Sequence, residues 1–296
     1  MSHPLARIIG QLKREPSRTG SLVITVFGEA IVPRGGSVWL GTLLAFFEAL
    51  DIDGGVVRTA MSRLAADGWL ARNKVGRNSF YRLAEKGRET FVTAMQHVYH
   101  PHAPEWTGRF ELLLIGNGDD REASREALKA AGFGSPMPGV WVAPSGVAIP
   151  EAAACAIRLE VSAEDDSGRR LLSASWPLER TAAAYLAFVE RFTPLRDWIV
   201  RREPLSDLDA FTARVLMNHH YRRVVLRDPL LPAALLPRDW PGGAARQLCR
   251  EIFLGLLEPS ERWLDQNGSN ENGSLPPPEP GLESRYMLQK YIDDVI

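Results

Sequence analysis

The residues of this chain best suited to chemistry are cations and hydroxyls set at helical spacing in the stretch DGGVVRTAMSRLAADGWLARNKVGRNSFYRL, Asp53 to Leu83. Val57, Ala60, Met61 and Leu64 recur three and four residues apart and predict an inward stripe, which leaves Arg58, Thr59, Ser62 and Arg63 on the outer face. Arginine forks onto a guanine edge, while threonine and serine accept or donate to a base edge or a phosphate. Asp53 is a candidate N-cap for this helix and Gly68 a left-handed residue past its end. Directly afterwards Lys74, Arg77 and Asn78 lie at the tip of a predicted two-stranded ribbon, Lys74-Val75-Gly76-Arg77-Asn78. One helix for the major groove followed by a basic hairpin for the neighbouring phosphates is the order a winged helix-turn-helix needs. Taken alone, the helix reads better as a solvated amphipathic helix beside an ordinary hairpin. The basic tip that follows it decides for double-stranded DNA.

The charge supports this locally and not globally. The chain of 296 residues carries 35 Lys+Arg against 36 Asp+Glu, so its net charge says nothing about a polyanionic partner. Residues 54–88 hold eight bases (Arg58, Arg63, Arg72, Lys74, Arg77, Arg82, Lys86 and Arg88) and only two acids, Asp67 and Glu85. From Asn267 onward the balance reverses, with Glu271, Glu279, Glu283, Asp293 and Asp294 against Arg285 and Lys290. A basic module offset by acid elsewhere holds DNA without binding every polyanion, and its affinity should fall with salt as counterions are released.

The elements that must position this face come before and after it. SLVITVFGEAIV predicts a helix from Ser21 to Val32, closed by Pro33-Arg34-Gly35-Gly36, and a second runs from Trp39 to Leu50 with Ser37 as its cap. Trp39, Leu43, Phe46, Phe47 and Leu50 then form core against the basic helix. Another helix follows the ribbon, from Ala84 to Tyr99. His97, His100 and His102 lack a regular element to converge them on a metal and read as free surface histidines, so no metal site is expected.

Arg109–Ile115 reads as a buried strand and Arg121–Ala131 as a helix with Gly132 past its end. Gly139–Ala143 reads as a strand, followed by a strand pair at Ala156–Val161 and Leu171–Ser175. That order predicts a small ferredoxin-like α+β domain. Asp119 and Asp120 are read as helix-capping residues and not as metal ligands. From Thr181 the chain is helical, with Ser206 or Asp207 capping a helix through Leu226. His219, His220, Tyr221, Arg222, Arg223 and Arg227 form a cationic patch there. It reads either as a site for the phosphates of an anionic effector, with Tyr221 or Trp240 beside an aromatic ring, or as bridges to the LRDP and DWPG loops. The low-apolar stretch QNGSNENGSLPPPEPG predicts a disordered tether, with a short terminal helix around Tyr286, Met287, Tyr291, Ile292 and Ile296.

Cys155 and Cys249 stand among small and apolar residues and read as buried thiols of a reducing compartment. The N-terminus has no h-region or cleavage site, and no apolar run reaches the roughly 20 residues of a membrane span. The expected location is therefore the cytoplasm. The organisation predicted is α+β: a winged helix-turn-helix domain over 18–102, a ferredoxin-like domain over 106–177, a helical C-terminal domain over 178–266 and a flexible acidic tail over 267–296.

Three stretches together resemble the phenylacetate-degradation repressor (PaaX) family: SLVITVFGEAIVPRGGSVWLGTLLAFFEAL…VRTAMSRLAADGWL, GRNSFYRLAEKGRE and HHYRRVVLRDPLLPAALLPRDWPG. The resemblance covers most of 18–265. It implies an N-terminal winged helix, a central ferredoxin-like domain similar to the Cas2 fold, and a helical C-terminal domain. It also implies a homodimeric, non-enzymatic repressor of aromatic catabolic genes, released from a palindromic operator by phenylacetyl-coenzyme A or a related acyl-CoA, with no other cofactor. By resemblance Arg58, Thr59, Ser62 and Arg63 read the operator, and Lys74, Arg77 and Asn78 lie at the wing tip. His220, Tyr221, Arg222, Arg223 and Trp240 are the candidate effector contacts. In the middle domain LLLIGNGDD departs from the acidic-then-Pro strand end associated with the family. Two other readings compete: a nucleic-acid-processing enzyme built on the ferredoxin-like domain, for which only Glu111 offers a carboxylate on the first strand, and a non-sensing DNA-binding scaffold.

Overall fold

The apolar run after Thr19 folds as helix despite its β-branched residues, because Leu22, Val23 and Val26 are buried nearly completely and tertiary burial overrides propensity. The computed structural model describes residues 3–14, 18–99, 103–116, 121–162 and 166–286. They fall into two units: a larger one of residues 1–100, 186–226 and 243–296, and a smaller one of residues 101–185 and 227–242. Among the described residues no helix is long and apolar enough to cross a membrane.

In the larger unit α1 (Pro4–Arg14) turns Leu5, Ile8 and Leu12 inward. Helix α2 (Thr19–Val26) continues into a π turn over Phe27–Ile31 and a 3₁₀ turn over Val32–Arg34. The single helix expected over Ser21–Val32 is thus one helical path with three pitches. It stops at Gly35 and Gly36, whose φ angles of +84° and +78° suit only glycine. The next residues correct the sequence reading. Ser37 caps no helix: it opens strand β1 (Ser37–Trp39), and its hydroxyl donates to Glu271. Trp39 is not core but 37% exposed. Val38 is the residue that β1 buries. Helix α3 (Leu40–Glu48) follows, with Leu43, Phe46 and Phe47 inward as expected.

Helix α4 (Gly54–Ala66) and strands β2 (Leu70–Val75) and β3 (Asn78–Leu83) come next, then α5 (Glu85–Tyr99). The three strands form an antiparallel sheet in the order β1-β3-β2, with Val38 opposite Tyr81 and Leu70 opposite Leu83.

The smaller unit holds a four-stranded antiparallel sheet made of β4 (Arg109–Leu114), β5 (Gly134–Met137), β6 (Val140–Pro144) and β7 (Ile157–Ser162), with α6 (Arg121–Ala130) between β4 and β5. The strand order is β5-β6-β4-β7. Leu113, Leu128, Phe133 and Trp141 pack on one face; Phe110, Val142, Leu172, Trp176 and Leu231 pack on the other. Strand β5 was not expected from sequence. Leu171–Ser175 is not a strand but the end of helix α7 (Asp166–Ser175). Its buried residues Gly168, Leu172 and Ser175 recur at helical spacing, whereas a strand would bury alternate positions. Cys155 is exposed, contrary to expectation, and Cys249 is buried. Asp119 and Asp120 lie outside the described residues.

Helices α8 (Leu178–Val200), α9 (Asp207–Val225) and α10 (Gly242–Asn267) follow, and Ser206 caps α9 by accepting from the Asp209 amide at 3.1 Å. The stretch after α10 is no tether. It forms a small ribbon of β8 (Ser269–Asn270) and β9 (Gly273–Ser274), and Leu275, Leu282, Arg285 and Tyr286 are buried. The Glu279 amide donates to the Pro33 carbonyl at 2.7 Å, and Arg34 donates to the Pro276 carbonyl at 3.2 Å. A few well-spaced apolar anchors therefore order a segment whose average composition suggests disorder. The expected terminal helix lies outside the described residues except for Tyr286.

The larger unit closes around a buried charged network centred on Glu29 of the π turn. Arg214 donates from Nε to Glu29 Oε1 at 2.7 Å and from Nη2 to the Glu29 carbonyl at 2.9 Å. Asn218 and the Tyr99 hydroxyl donate to Glu29 Oε2 at 2.5 and 2.6 Å. Arg214 also reaches Glu261, which in turn accepts from Arg34. Arg285 donates to the Glu29 carbonyl at 3.2 Å, and the Tyr286 hydroxyl donates to Asn218 Oδ1 at 3.1 Å. Burial opposes the charge on Arg214, but Glu29 and Glu261 outweigh it and raise its pKa. Burial, with Glu29 beside it, pushes the Tyr99 hydroxyl far above the usual phenol range.

Candidate nucleic-acid interface

Helix α4 is fixed at its start by its own cap: Asp53 Oδ1 accepts from the Gly55 amide at 2.7 Å. It ends at Gly68, whose φ of +74° is the left-handed value expected there. Val57 and Met61 are buried, Ala60 and Leu64 partly so, while Arg58, Thr59, Ser62 and Arg63 are exposed. Thr59 returns its hydroxyl to the Gly55 carbonyl at 2.8 Å. The β2–β3 ribbon turns at Gly76, with φ +60°, and leaves Lys74, Arg77 and Asn78 exposed. The structure thus brings all seven residues onto exposed positions of the α4 face and the ribbon of one unit.

The eight bases of this region divide sharply by what they touch. Arg88 pairs with Glu85, and Lys86 donates to the Asp67 carbonyl at 3.2 Å while lying 6.0 Å from the Trp69 ring centre. Arg72 forks onto the Ser79 hydroxyl at 2.8 and 3.2 Å. Arg82 attracts Glu271, although the Ser37 hydroxyl is the main reason that the Glu271 carboxyl sits below its usual range. Arg58, Arg63, Lys74 and Arg77 form no ion pair among the described residues. Keeping four cations unpaired costs little in water, and they remain available to an anion.

Sequence reasoning missed one residue of this face. Val56 on the outer side of α4 is half exposed, as is Val75 at the ribbon tip. An apolar residue among polar ones on the outward face was the available signal, and a valine there suits a thymine methyl.

The candidate effector residues are not gathered in this way. His219 is buried, with Nδ1 3.0 Å from the Thr25 hydroxyl. His220 Nδ1 lies 2.9 Å from Arg191 Nη1. Burial, reinforced by neighbouring cations, lowers both imidazoles to about 3, so neither adds charge to a patch near neutrality. Tyr221 is buried against Phe188 and Tyr286. Arg223 is exposed and Arg222 half-buried, its Nε without a partner among the described residues and beside a cavity of about 20 Å³ lined by Ile24, Phe91, Met95 and Asn218. Trp240 belongs to the smaller unit, edge-on to Tyr185. His97 is half-buried, not free on the surface, while His100 and His102 lie outside the described residues. No group of three potential metal ligands occurs among the described residues.

Comparison with known proteins places relatives beside this geometry. Residues 18–87 match the family described as PaaX-like protein, and residues 176–266 match the PaaX-like protein C-terminal domain. The chain is 33% identical to the transcriptional repressor PaaX of Escherichia coli (strain K12), over 87% of this chain and 86% of that repressor. Among solved structures it is similar to the uncharacterized protein Rv0674 from Mycobacterium tuberculosis. That likeness has a TM-score of 0.51 and 23% identity, and it covers 74% of this chain and 88% of the other. At that identity it speaks to the fold alone.

Proposed function

Because this chain belongs to the PaaX family, whose curated relative is a transcriptional repressor and not an enzyme, we propose that it represses transcription by binding operator DNA through α4 and the β2–β3 ribbon. In this reading the larger unit carries a winged helix-turn-helix: α2, β1, α3, α4, then the ribbon as wing. The smaller unit, with its strand order β5-β6-β4-β7, is the ferredoxin-like domain, and α8–α10 correspond to the helical C-terminal domain. The single observation that carries the proposal is the set of four exposed cations, Arg58, Arg63, Lys74 and Arg77, on the reading helix and the wing, which form no ion pair among the described residues. Arg58, Arg63, Thr59 and Ser62 face the bases; Lys74, Arg77 and Asn78 hold flanking phosphates.

The protein works as a cytoplasmic homodimer on a palindromic operator, two recognition helices meeting successive major grooves about 34–36 Å apart. The genes it controls are those of phenylacetate breakdown. An aryl-acetyl-CoA such as phenylacetyl-CoA releases it by favouring a dimer whose helices no longer match that spacing. Arg222, Arg223 and His220 remain the candidate contacts for the anionic part of this effector.

Gel-shift titration against the protein's own upstream DNA tests the proposal. The expected result is a specific complex that weakens steeply with salt and dissolves with phenylacetyl-CoA but not with free phenylacetate. A complex indifferent to every acyl-CoA would support the scaffold reading instead, and absence of salt-sensitive binding to any duplex would overturn the proposal.

A further inference from the structure

The smaller unit holds a cleft that the DNA-binding reading leaves unused. Its volume is about 500 Å³, inside the roughly 300–1,000 Å³ typical of small-molecule sites. One wall is helix α6, which contributes Arg125 and Lys129. Four residues apart, they fall on one side of the helix, a step round from Ser124 and Leu128, which are buried. Lys129 forms no ion pair among the described residues, and Arg125 is held only by the exposed Glu122 at 3.4 Å. Among the described residues no carboxylate lines the cleft.

A second wall is the β5–β6 hairpin. Its register shifts between Gly134 and Met137, and the Ser135 hydroxyl bridges the irregularity, 3.0 Å from the Met137 carbonyl oxygen and 2.9 Å from that of Val140. A bulge of this kind re-aims side chains. Here Pro136, Met137 and Pro138 line the cleft, and Met137 is 60% exposed. The turn is pinned at Gly139, whose φ is +83° and whose carbonyl accepts from the Ile115 amide at 2.8 Å. Trp141 also lines the cleft, although only 5% exposed, and its indole N–H has no acceptor among the described residues. An indole N–H can only donate, so it suits an oxygen brought in by a ligand.

We propose that this cleft binds a small aromatic carboxylate, its anion between Lys129 and Arg125 and its ring against Trp141, Met137 and the two prolines. Both halves of that ligand class follow from the walls. Methionine sulfur and an aromatic ring attract a flat apolar body. Two cations, one of them already sharing its charge with Glu122, match a monoanion better than a phosphoryl dianion. The cleft lies within one unit and shares no residue with Arg222, Arg223 or His220. It therefore stands apart from the candidate effector contacts and does not rest on the repressor reading.

Titration calorimetry of the full-length protein with naphthoate tests it, beside the neutral naphthylmethanol and the ringless anions acetate and inorganic phosphate. Naphthoate should bind about fivefold or more tighter than the alcohol, and neither acetate nor phosphate should displace it at equal concentration. Lys129→Glu, at an exposed position that leaves the fold intact, should weaken naphthoate about fivefold or more and leave the alcohol unchanged. The indole N–H resonance of Trp141, assigned as the one missing from Trp141→Phe, should move when the native chain is saturated with naphthoate. Met137→Ala, at the exposed rim, reads the apolar wall without touching the core and should weaken acid and alcohol alike. Naphthoate that fails to bind at millimolar concentration would overturn the proposal. So would an affinity indifferent to Lys129→Glu, equal binding of acid and alcohol, or phosphate bound as tightly as naphthoate. Each of these outcomes leaves DNA binding, read separately by gel shift, untouched.

Discussion

Arg58 and Arg214 carry the same side chain to opposite ends. On α4 and the ribbon, Arg58, Arg63, Lys74 and Arg77 are exposed, without carboxylate partners among the described residues. Around the π turn, Arg34 and Arg214 are buried, and every route from them leads to an acid or a carbonyl: Glu29, Glu261, Asp265 and Pro276. Water screens the first set, so leaving it unpaired is nearly free, and the charge remains for a ligand. The second set has no water to fall back on, so its pairing is a condition of the fold and not a source of function. The difference teaches that charge in this molecule is read by its surroundings and not by its residue type.

The largest effect should come from breaking the buried set. Arg214→Ala strips Glu29 of its nearest cation in the interior, leaving only the more distant Arg285 at 3.8 Å. It is expected to lower unfolding stability by about 3–5 kcal/mol, seen as a fall in denaturation midpoint. The same change at Arg58 should shift the midpoint by no more than about 0.5 kcal/mol. Equal midpoints for the two variants would erase the distinction.

The buried histidines sharpen the contrast through pH. In the folded chain His219 and His220 titrate at about 3, held down by burial, whereas the unfolded chain takes up their protons near the ordinary value of 6.5. Stability from these groups is therefore full above pH 6.5 and declines as pH falls from there toward about 3. Urea melts between pH 7 and pH 5, above most carboxylate titrations, should show a loss on the order of a few kcal/mol. His219→Gln should flatten that decline; an unchanged slope would place the titration elsewhere.

Much of the exposed set was legible in the sequence, because it depends on local rules. The Asp53 cap, the Gly68 stop, the inward stripe at Val57 and Met61 and the Gly76 turn each need only residues a few positions apart, and the structure shows them as read. The buried set was not legible. Glu29 and Arg214 are 185 residues apart, and nothing near either announces the other. The same blindness produced the tail error: Tyr286 is packed against Tyr99 and Tyr221, far earlier in the chain, and Leu275 and Leu282 are buried although their sequence neighbours are not apolar. Ser37 and Leu171–Ser175 failed for a milder reason. Serine before an apolar run suits a cap or a strand start, and a short apolar stretch suits either period until its burial is known.

On the exposed set, DNA binding should separate helix from wing. Arg58→Ala is expected to cost about 1–3 kcal/mol of discrimination between operator and random duplex, while Lys74→Ala weakens both similarly and lowers the salt slope by about 1. Titrations at several salt concentrations check this. If the two variants lose specificity equally, α4 does not read the bases.

The smallest effect expected is at the junction of the two principles, where a carboxylate holds the exposed helix in place. Asp53 is exposed, so its charge matters little, but its Oδ1 satisfies the Gly55 amide at the start of α4. Asp53→Ala should lower stability by about 1 kcal/mol, and Asp53→Asn or Asp53→Ser should restore it, since the cap needs an oxygen acceptor and not a charge. Because the first turn of α4 also presents Val56 and Arg58, fraying there should weaken operator binding in Asp53→Ala and recover in Asp53→Ser. Recovery of stability without recovery of binding would show that the carboxylate acts on DNA through its charge, and the face would then be less purely cationic than its geometry indicates.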